Sequence, residues 1–291
     1  MASTETAASK DDFSASAHLR TKTPDGKFED IFGRRTYVAP SPDGLKTKTI
    51  IYITDMFGVD LMNHQLMADT YAKGGFHVYM PDFLDGDGLP AEFMQTAEPK
   101  LADQEKMTVI EKTKNQATLM ATMGPKGIKH REAIAKPKID AFIADLRKDT
   151  SISKIGIIGT CWGGRHAVLQ AHQDTGISAV AALQPSFTAT ADWEPVSVPI
   201  YLAFGDKDTL VPISNTGVVS SIPGSAAITS LSVDGIIDVM EKKVDLDKEI
   251  RIFENQVHGF THRGDWSTDD DRKAMDEAAD AVIGWFRKYL A

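Results

Sequence analysis

The feature that most constrains this chain is the five-residue turn Gly159-Thr160-Cys161-Trp162-Gly163. It stands between an apolar run, Lys154-Ile-Gly-Ile-Ile-Gly159, and a segment of helical character from Trp162 to Asp174. A strand that passes into a helix over so few residues must kink sharply. Glycine two residues to either side of the apex is what the kink requires, because a Cβ at either place would strike the facing backbone. The apex is the only cysteine of the chain. With 22 glycines in 291 residues, one cysteine would have Gly at both places about 0.6% of the time by chance, the square of about 0.076. A small buried hydrophobe, the usual role of a free cysteine, needs no such glycines. The turn therefore predicts an elbow that presents the thiol at a helix N-terminus, where the positive end of the helix favours a thiolate and a developing oxyanion.

Elsewhere the apolar pattern repeats the unit around this turn. Lys48–Thr54 and Phe76–Pro81 are short β-branched and aromatic runs, and Asp60–Gly74 between them has helical spacing at Leu61, Leu66, Met67 and Tyr71. Lys154–Gly159, Trp162–Asp174 and Ile177–Leu183 form a second strand-helix-strand unit, and Pro199–Phe204 and Glu249–Phe253 add two strands. Asp269–Leu290 reads as a closing amphipathic helix with Ala274, Ala278, Val282 and Trp285 on one face. Near-continuous apolar strands suit a parallel sheet covered on both sides. The expectation is an α/β fold: a doubly wound, mostly parallel sheet with helices on both faces. Residues 1–16, rich in Ser, Ala and Thr, are expected to form a loose tail, and 17–291 a single domain. Segments 84–131 and 213–248 break the alternation and are expected to lie over the carboxyl ends of the strands as loops or lids.

Composition removes several function classes. A formal charge of −9 and a pI near 5.4 oppose a nucleic-acid or anionic-membrane surface, which needs clustered Lys and Arg. No apolar run approaches the roughly 18 residues of a membrane span, and the first ten residues lack the apolar core of a secretory signal. One cysteine forms no intramolecular disulfide, so a reducing, cytoplasmic setting is expected. There is no Gly-x-Gly-x-x-Gly, no phosphate-binding loop and no His-Glu-x-x-His, so neither a cofactor nor a metal is expected. The oligomeric state, monomer or homodimer, is left open.

A thiol at an elbow needs a base, an orienting acid and donors for an oxyanion. Trp162 N–H is one donor; Met56 N–H, in the loop Asp55-Met56-Phe57-Gly58 after the first strand of a strand-helix unit, is the other. The chain order of nucleophile, acid and histidine offers Asp206 or Asp208 in Gly205-Asp-Lys-Asp-Thr-Leu-Val-Pro212, and His258 in Gln256-Val-His-Gly-Phe260. An aspartate there would hold the ring in the tautomer whose free nitrogen faces Cys161. His18, His64, His77, His130, His166 and His172 show no partner pattern. His262, four residues after His258, either lines the pocket or is an exposed loop residue.

Thr54-Asp-Met-Phe-Gly-Val59, Gly159-Thr-Cys-Trp-Gly-Gly164, Gly205–Pro212 and His258-Gly-Phe260 together resemble the dienelactone hydrolase (carboxymethylenebutenolidase) family of the α/β-hydrolases, over about residues 30–290. The resemblance implies a cofactor-independent hydrolase of lactones or esters with Cys161, Asp208 and His258 as its triad, the acid falling three residues after the glycine. It also implies an acidic residue at position 55 that contacts the resting thiol and is drawn away by substrate. That residue is usually Glu; here it is Asp55, one methylene shorter, so thiol contact and capping of the following helix both stay open. Bacterial members bind a substrate carboxylate with arginines. This chain has none between Arg35 and Arg131, and Arg263 is either the remaining arm or a solvated loop residue. The missing anchors point to a larger or less charged lactone, ester or amide. Two further readings are a non-hydrolytic isomerase or cyclase, with His258 moving protons, and a catalytically silent binding protein.

Overall fold

The computed structural model describes residues 22–94, 99–214 and 231–291. The expected tail and residues 215–230 of the 213–248 segment fall outside them. Among the described residues eight strands form one sheet: β1 (Lys27–Ile31), β2 (Arg34–Ala39), β3 (Lys48–Ile53), β4 (His77–Pro81), β5 (Lys154–Thr160), β6 (Ala179–Leu183), β7 (Ile200–Gly205) and β8 (Lys248–Phe253). Their order across the sheet is β1-β2-β4-β3-β5-β6-β7-β8. The pairs β1–β2 and β2–β4 are antiparallel and all others parallel. The helices are α1 (Met62–Lys73), α2 (Leu101–Lys106), α3 (Val109–Lys129), α4 (Glu132–Leu146), α5 (Trp162–Gln170), α6 (Thr190–Trp193), α7 (Val233–Glu241), α8 (Phe260–Arg263) and α9 (Asp269–Tyr289). This is the α/β-hydrolase architecture.

The two-residue side-chain period of the strands builds a core on each face. Ile51, Ile53, Ile157, Val180 and Leu202 join Ile139, Phe142 and Ile143 of α4 and Val168 of α5 in one cluster. Ile50, Tyr52, Ile158, Ala181 and Tyr201 join Met67 and Tyr71 of α1 and Val282 and Phe286 of α9 in the other. Both faces are covered, so the central strands carry no polar face, which is why they read as continuous apolar runs. The sheet also has a turning point. β4 lies on one side of β3 and β5 on the other, with Ile53 paired to Gly159. Chains leaving β3 and β5 therefore diverge to opposite faces, and the crevice between them is where such sheets bind ligands.

Two parts differ from the expectation. Residues 27–39, not read as strands, form the β1–β2 hairpin through Phe32 and Gly33, whose φ of 56° and 73° suit the tight turn of twisted strands. Segment 84–131, expected as loop or lid, is largely helical, holding α2 and the 21-residue α3. Gly124, Pro125 and Gly127 within α3 read as breakers in the sequence. The true start signal is the capping box, in which Thr108 Oγ1 accepts the Glu111 N–H at 3.3 Å and Glu111 accepts the Thr108 N–H at 2.8 Å. The closing helix α9 follows its expected face: Ala274, Ala278, Val282 and Trp285 are all buried.

His166 on α5 is buried against Trp162, ring centroids 4.5 Å apart. Burial, with the neighbouring Arg165 charge, pushes its pKa from 6.5 down to about 3. Between those values the unfolded chain binds a proton that the folded chain refuses, so acid favours unfolding. Urea denaturation between pH 6 and 4 should show stability falling by about 1.4 kcal/mol per pH unit from this residue. His166→Gln should flatten that slope by the same amount; an unchanged slope would remove the assignment.

Candidate active site

The elbow is built as its glycines require. Cys161 has φ 53° and ψ −113°, a left-handed conformation that a residue with a Cβ holds only under constraint. A Cβ on Gly159 would lie 2.1 Å from the Gly163 carbonyl oxygen, and one on Gly163 would lie 2.3 Å from that of Ile53. The elbow is thus pressed against the end of β3. Cys161 N–H donates to Leu183 O at 2.9 Å, and Cys161 O accepts from Ser186 N at 3.1 Å and from Arg165 N at 3.2 Å. The first two bonds tie the elbow to the end of β6 and the third starts α5. Arg165 in turn pairs with Asp192 at 2.9 Å and Glu132 at 2.7 Å, joining α5 to α6 and α4.

The structure brings Cys161, Asp208 and His258 to the carboxyl ends of β5, β7 and β8. Asp208 Oδ2 lies 2.7 Å from His258 Nδ1, while Asp208 Oδ1 accepts the N–H groups of Leu210 and Val211 at 2.8 and 2.9 Å. Asp206 instead pairs with its neighbour Lys207 at 2.8 Å. Asp208, the acid that the resemblance implies, is the aspartate that meets His258, because its side chain faces inward from the turn. Met56 follows β3 and Trp162 follows the elbow, so both proposed oxyanion donors lie at the same end of adjacent strands. The Trp162 indole is engaged elsewhere, donating to His130 O at 3.1 Å.

Asp55 has a role that neither of its expected readings described. It is 1% exposed and its carboxylate accepts from Phe57 N at 2.8 Å and from His64 Nε2 at 2.8 Å through Oδ1. Oδ2 lies 2.9 Å from both His262 Nε2 and Arg263 Nε. Among the described residues its hydrogen bonds go to these groups and not to Cys161. Nor does Asp55 cap α1, which begins at Met62. Burial alone would raise the Asp55 pKa, but His64, Arg263 and His262 outweigh it and hold the carboxyl well below the usual range. His262, expected as a possible exposed loop residue, is 1% exposed, and burial pushes it down to about 3. Arg263, expected as a possible solvated residue, is buried too, stacked 4.9 Å from the centre of the Phe57 ring. His64, given no role from sequence, bridges Asp55 and the Tyr52 hydroxyl, 2.7 Å from its Nδ1.

Asp55, His64 and His262 place their ligating atoms within 4.8 Å of one another, a residue set able to bind a transition metal. Here the four acceptor directions of the carboxylate are filled by protein donors. The Arg263 guanidinium, 3.0 Å from His262 Nε2, occupies the place a cation would need. The cluster is an ion-pair network that ties the loop after β3 to α8.

Sequence reading missed Ser186 and Gln184, on the turn after β6. Ser186 Oγ lies 3.5 Å from Cys161 Sγ and 3.4 Å from His258 Nε2. The Gln184 side chain is fully buried and accepts from Thr261 Oγ1 at 3.4 Å. The only sequence signal was a Pro-Ser pair one residue after an apolar strand, which is common in ordinary turns.

Two outcomes follow from this geometry. Asp55→Asn removes the charge that pairs with Arg263 and should cost about 3–5 kcal/mol in urea unfolding at pH 7, with Asp55→Asn/Arg263→Met regaining part of it. Gly163→Ala must push the elbow away from β3. It should lower stability by about 1–3 kcal/mol or more, and full stability by thermal unfolding would contradict the close approach.

Comparison with known proteins agrees with this architecture. Residues 35–290 match the model of the dienelactone hydrolase family. Hydrolase tropI of Talaromyces stipitatus is 24% identical over 270 residues, covering 92% of this chain and 91% of that protein. The carboxymethylenebutenolidase homolog of Mus musculus is 26% identical over 262 residues, 88% of each chain. Among solved structures, a dienelactone hydrolase-like promiscuous phosphotriesterase from metagenomic libraries superposes with a TM-score of 0.60 at 15% identity, covering 92% of this chain and 98% of that one. Thermogutta terrifontis esterase 2 gives 0.56 at 13% identity, covering 90% and 95%. These structural likenesses establish the fold, and the match over residues 35–290 establishes the kinship: the chain belongs to the dienelactone hydrolase family.

Proposed function

We propose that this protein hydrolyses esters or lactones without a cofactor, through an acyl-enzyme on Cys161. The observation that carries the reading is the buried convergence of Cys161, on its left-handed elbow, with the Asp208–His258 pair at 2.7 Å. Asp208, an acceptor only when ionised, favours the tautomer with the proton on His258 Nδ1 and leaves Nε2 as the base. The thiolate sits at the N-terminus of α5 and attacks the carbonyl carbon. Met56 and Trp162 N–H groups take the charge that develops on the carbonyl oxygen, where water-excluded donors act most strongly. His258 then protonates the leaving alcohol and later activates the water that frees the acid. The family membership and the esterases of like fold support the same reaction class.

The ion pair between Arg263 and Asp55, 2.9 Å, bears on the substrate. A guanidinium already neutralised by a buried carboxylate has less to offer a substrate carboxylate, so the preferred substrate is an uncharged ester or lactone. Asp55, His262 and Arg263 then shape the wall behind Met56 and Phe57.

The test is intact-protein mass spectrometry during turnover of matched esters and lactones with and without a carboxylate. An acyl adduct on Cys161 is expected, together with faster turnover of the uncharged set and a loss of roughly 10³-fold or more in Cys161→Ala. Turnover surviving in Cys161→Ala without adduct would overturn the mechanism, and preference for the carboxylated set would overturn the substrate class.

A further inference from the structure

We infer that Ser186 is a catalytic residue, the hydroxyl through which Cys161 and His258 exchange their proton; the inference rests on the reading of Cys161 as nucleophile. Ser186 is 1% exposed and its Oγ stands within reach of both ends of the pair, 3.5 Å from Sγ and 3.4 Å from Nε2. A serine hydroxyl has one donor and two acceptor positions, so it serves both partners at once. With Nδ1–H of His258 directed to Asp208, the neutral ring carries no proton on Nε2. In the neutral pair the thiol donates to Oγ and the Oγ–H donates to Nε2. In the charged pair Nε2–H donates to Oγ and Oγ–H donates to the thiolate. Passage from one to the other breaks S–H and the original O–H, forms a new O–H and N–H, and leaves serine unchanged. In both states the hydroxyl stands between the two groups, and transfer follows when the 3.4 and 3.5 Å separations shorten to ordinary hydrogen-bond lengths.

The backbone around Ser186 is held in place with unusual firmness. Ser186 N–H donates to the carbonyl of Cys161 itself at 3.1 Å, and Gln184 N–H to Ala203 O at 2.8 Å. Gln184 and Phe187, on either side, have φ of 43° and 60°. Left-handed non-glycine residues each cost on the order of 1–3 kcal/mol and persist where the surroundings over-determine them. Gly164, the second glycine after Cys161, admits this turn: a Cβ there would lie 2.8 Å from Pro185 Cα. The elbow and the serine turn are therefore fitted to one another. The Gln184 carbonyl, 3.2 Å from Oγ, is the competing acceptor for the hydroxyl proton. A hydroxyl turned to it leaves the thiol without a path to Nε2 by this route.

The experiment compares wild type, Ser186→Ala and Ser186→Thr in two measurements. The first is the rate of Cys161 alkylation by iodoacetamide across pH, read by mass spectrometry, which needs no substrate. Wild type should be alkylated readily near neutral pH. Ser186→Ala should react about tenfold more slowly at pH 7. Ser186→Thr, which keeps the hydroxyl, should restore most of the rate, and thermal unfolding should be alike in all three. The second is ester hydrolysis, in which Ser186→Ala should lose about 10²-fold in kcat/KM. Equal alkylation profiles in wild type and Ser186→Ala overturn the relay, as does a threonine variant as slow as the alanine one. Absence of acyl adduct in wild type, with the alkylation difference intact, would instead count against the hydrolase reading.

Discussion

The close approach of two backbones, the elbow after β5 and the end of β3, is the constraint on which the site depends. Gly159 and Gly163 allow carbonyl groups of the neighbouring turn to pass within the space a methyl would fill. That contact forces Cys161 into its left-handed conformation, aims the start of α5 at the crevice, and sets the ends of β3 and β5 side by side. The parallel sheet supplies the rest of the geometry. Because β5, β7 and β8 all end on the same edge, the thiol, the acid and the histidine meet although 97 residues separate the first from the last, by the numbering of Cys161 and His258.

Two buried carboxylates then divide the electrostatic work. Asp208 is held by two backbone N–H groups and spends its remaining oxygen on His258. Asp55 is surrounded by His64, His262, Arg263 and the Phe57 N–H, so its charge is consumed in fastening α8 to the loop after β3. A buried carboxylate must be compensated by donors or it takes up a proton. Ser186 stands on a turn whose own backbone is bonded to Cys161.

Much of the fold was legible along the chain. Lys48–Thr54, Phe76–Pro81 and Lys154–Gly159 match β3, β4 and β5 to within a residue at their ends, because strands buried on both faces are unmistakably apolar. The β1–β2 hairpin was not, since β1 is largely exposed and its turn is built from Phe32-Gly33 rather than a familiar turn pair. Helix α3 was hidden by Gly124 and Pro125, which are weak guides when a capping box and the tertiary setting favour helix. His262 and Arg263 looked like loop residues because four residues of helix carry no periodicity to read.

The sequence by itself determined the elbow, the strand succession and the place of the single cysteine at the elbow's apex. Each of these is written in neighbouring residues: glycine spacing, apolar runs and a single cysteine. Tertiary structure alone decided that Asp55 binds residues more than two hundred positions away and that Ser186 stands beside Cys161. Those choices depend on where side chains point at the ends of different strands. No local pattern carries that direction, because it exists only once the sheet has brought the strand ends together.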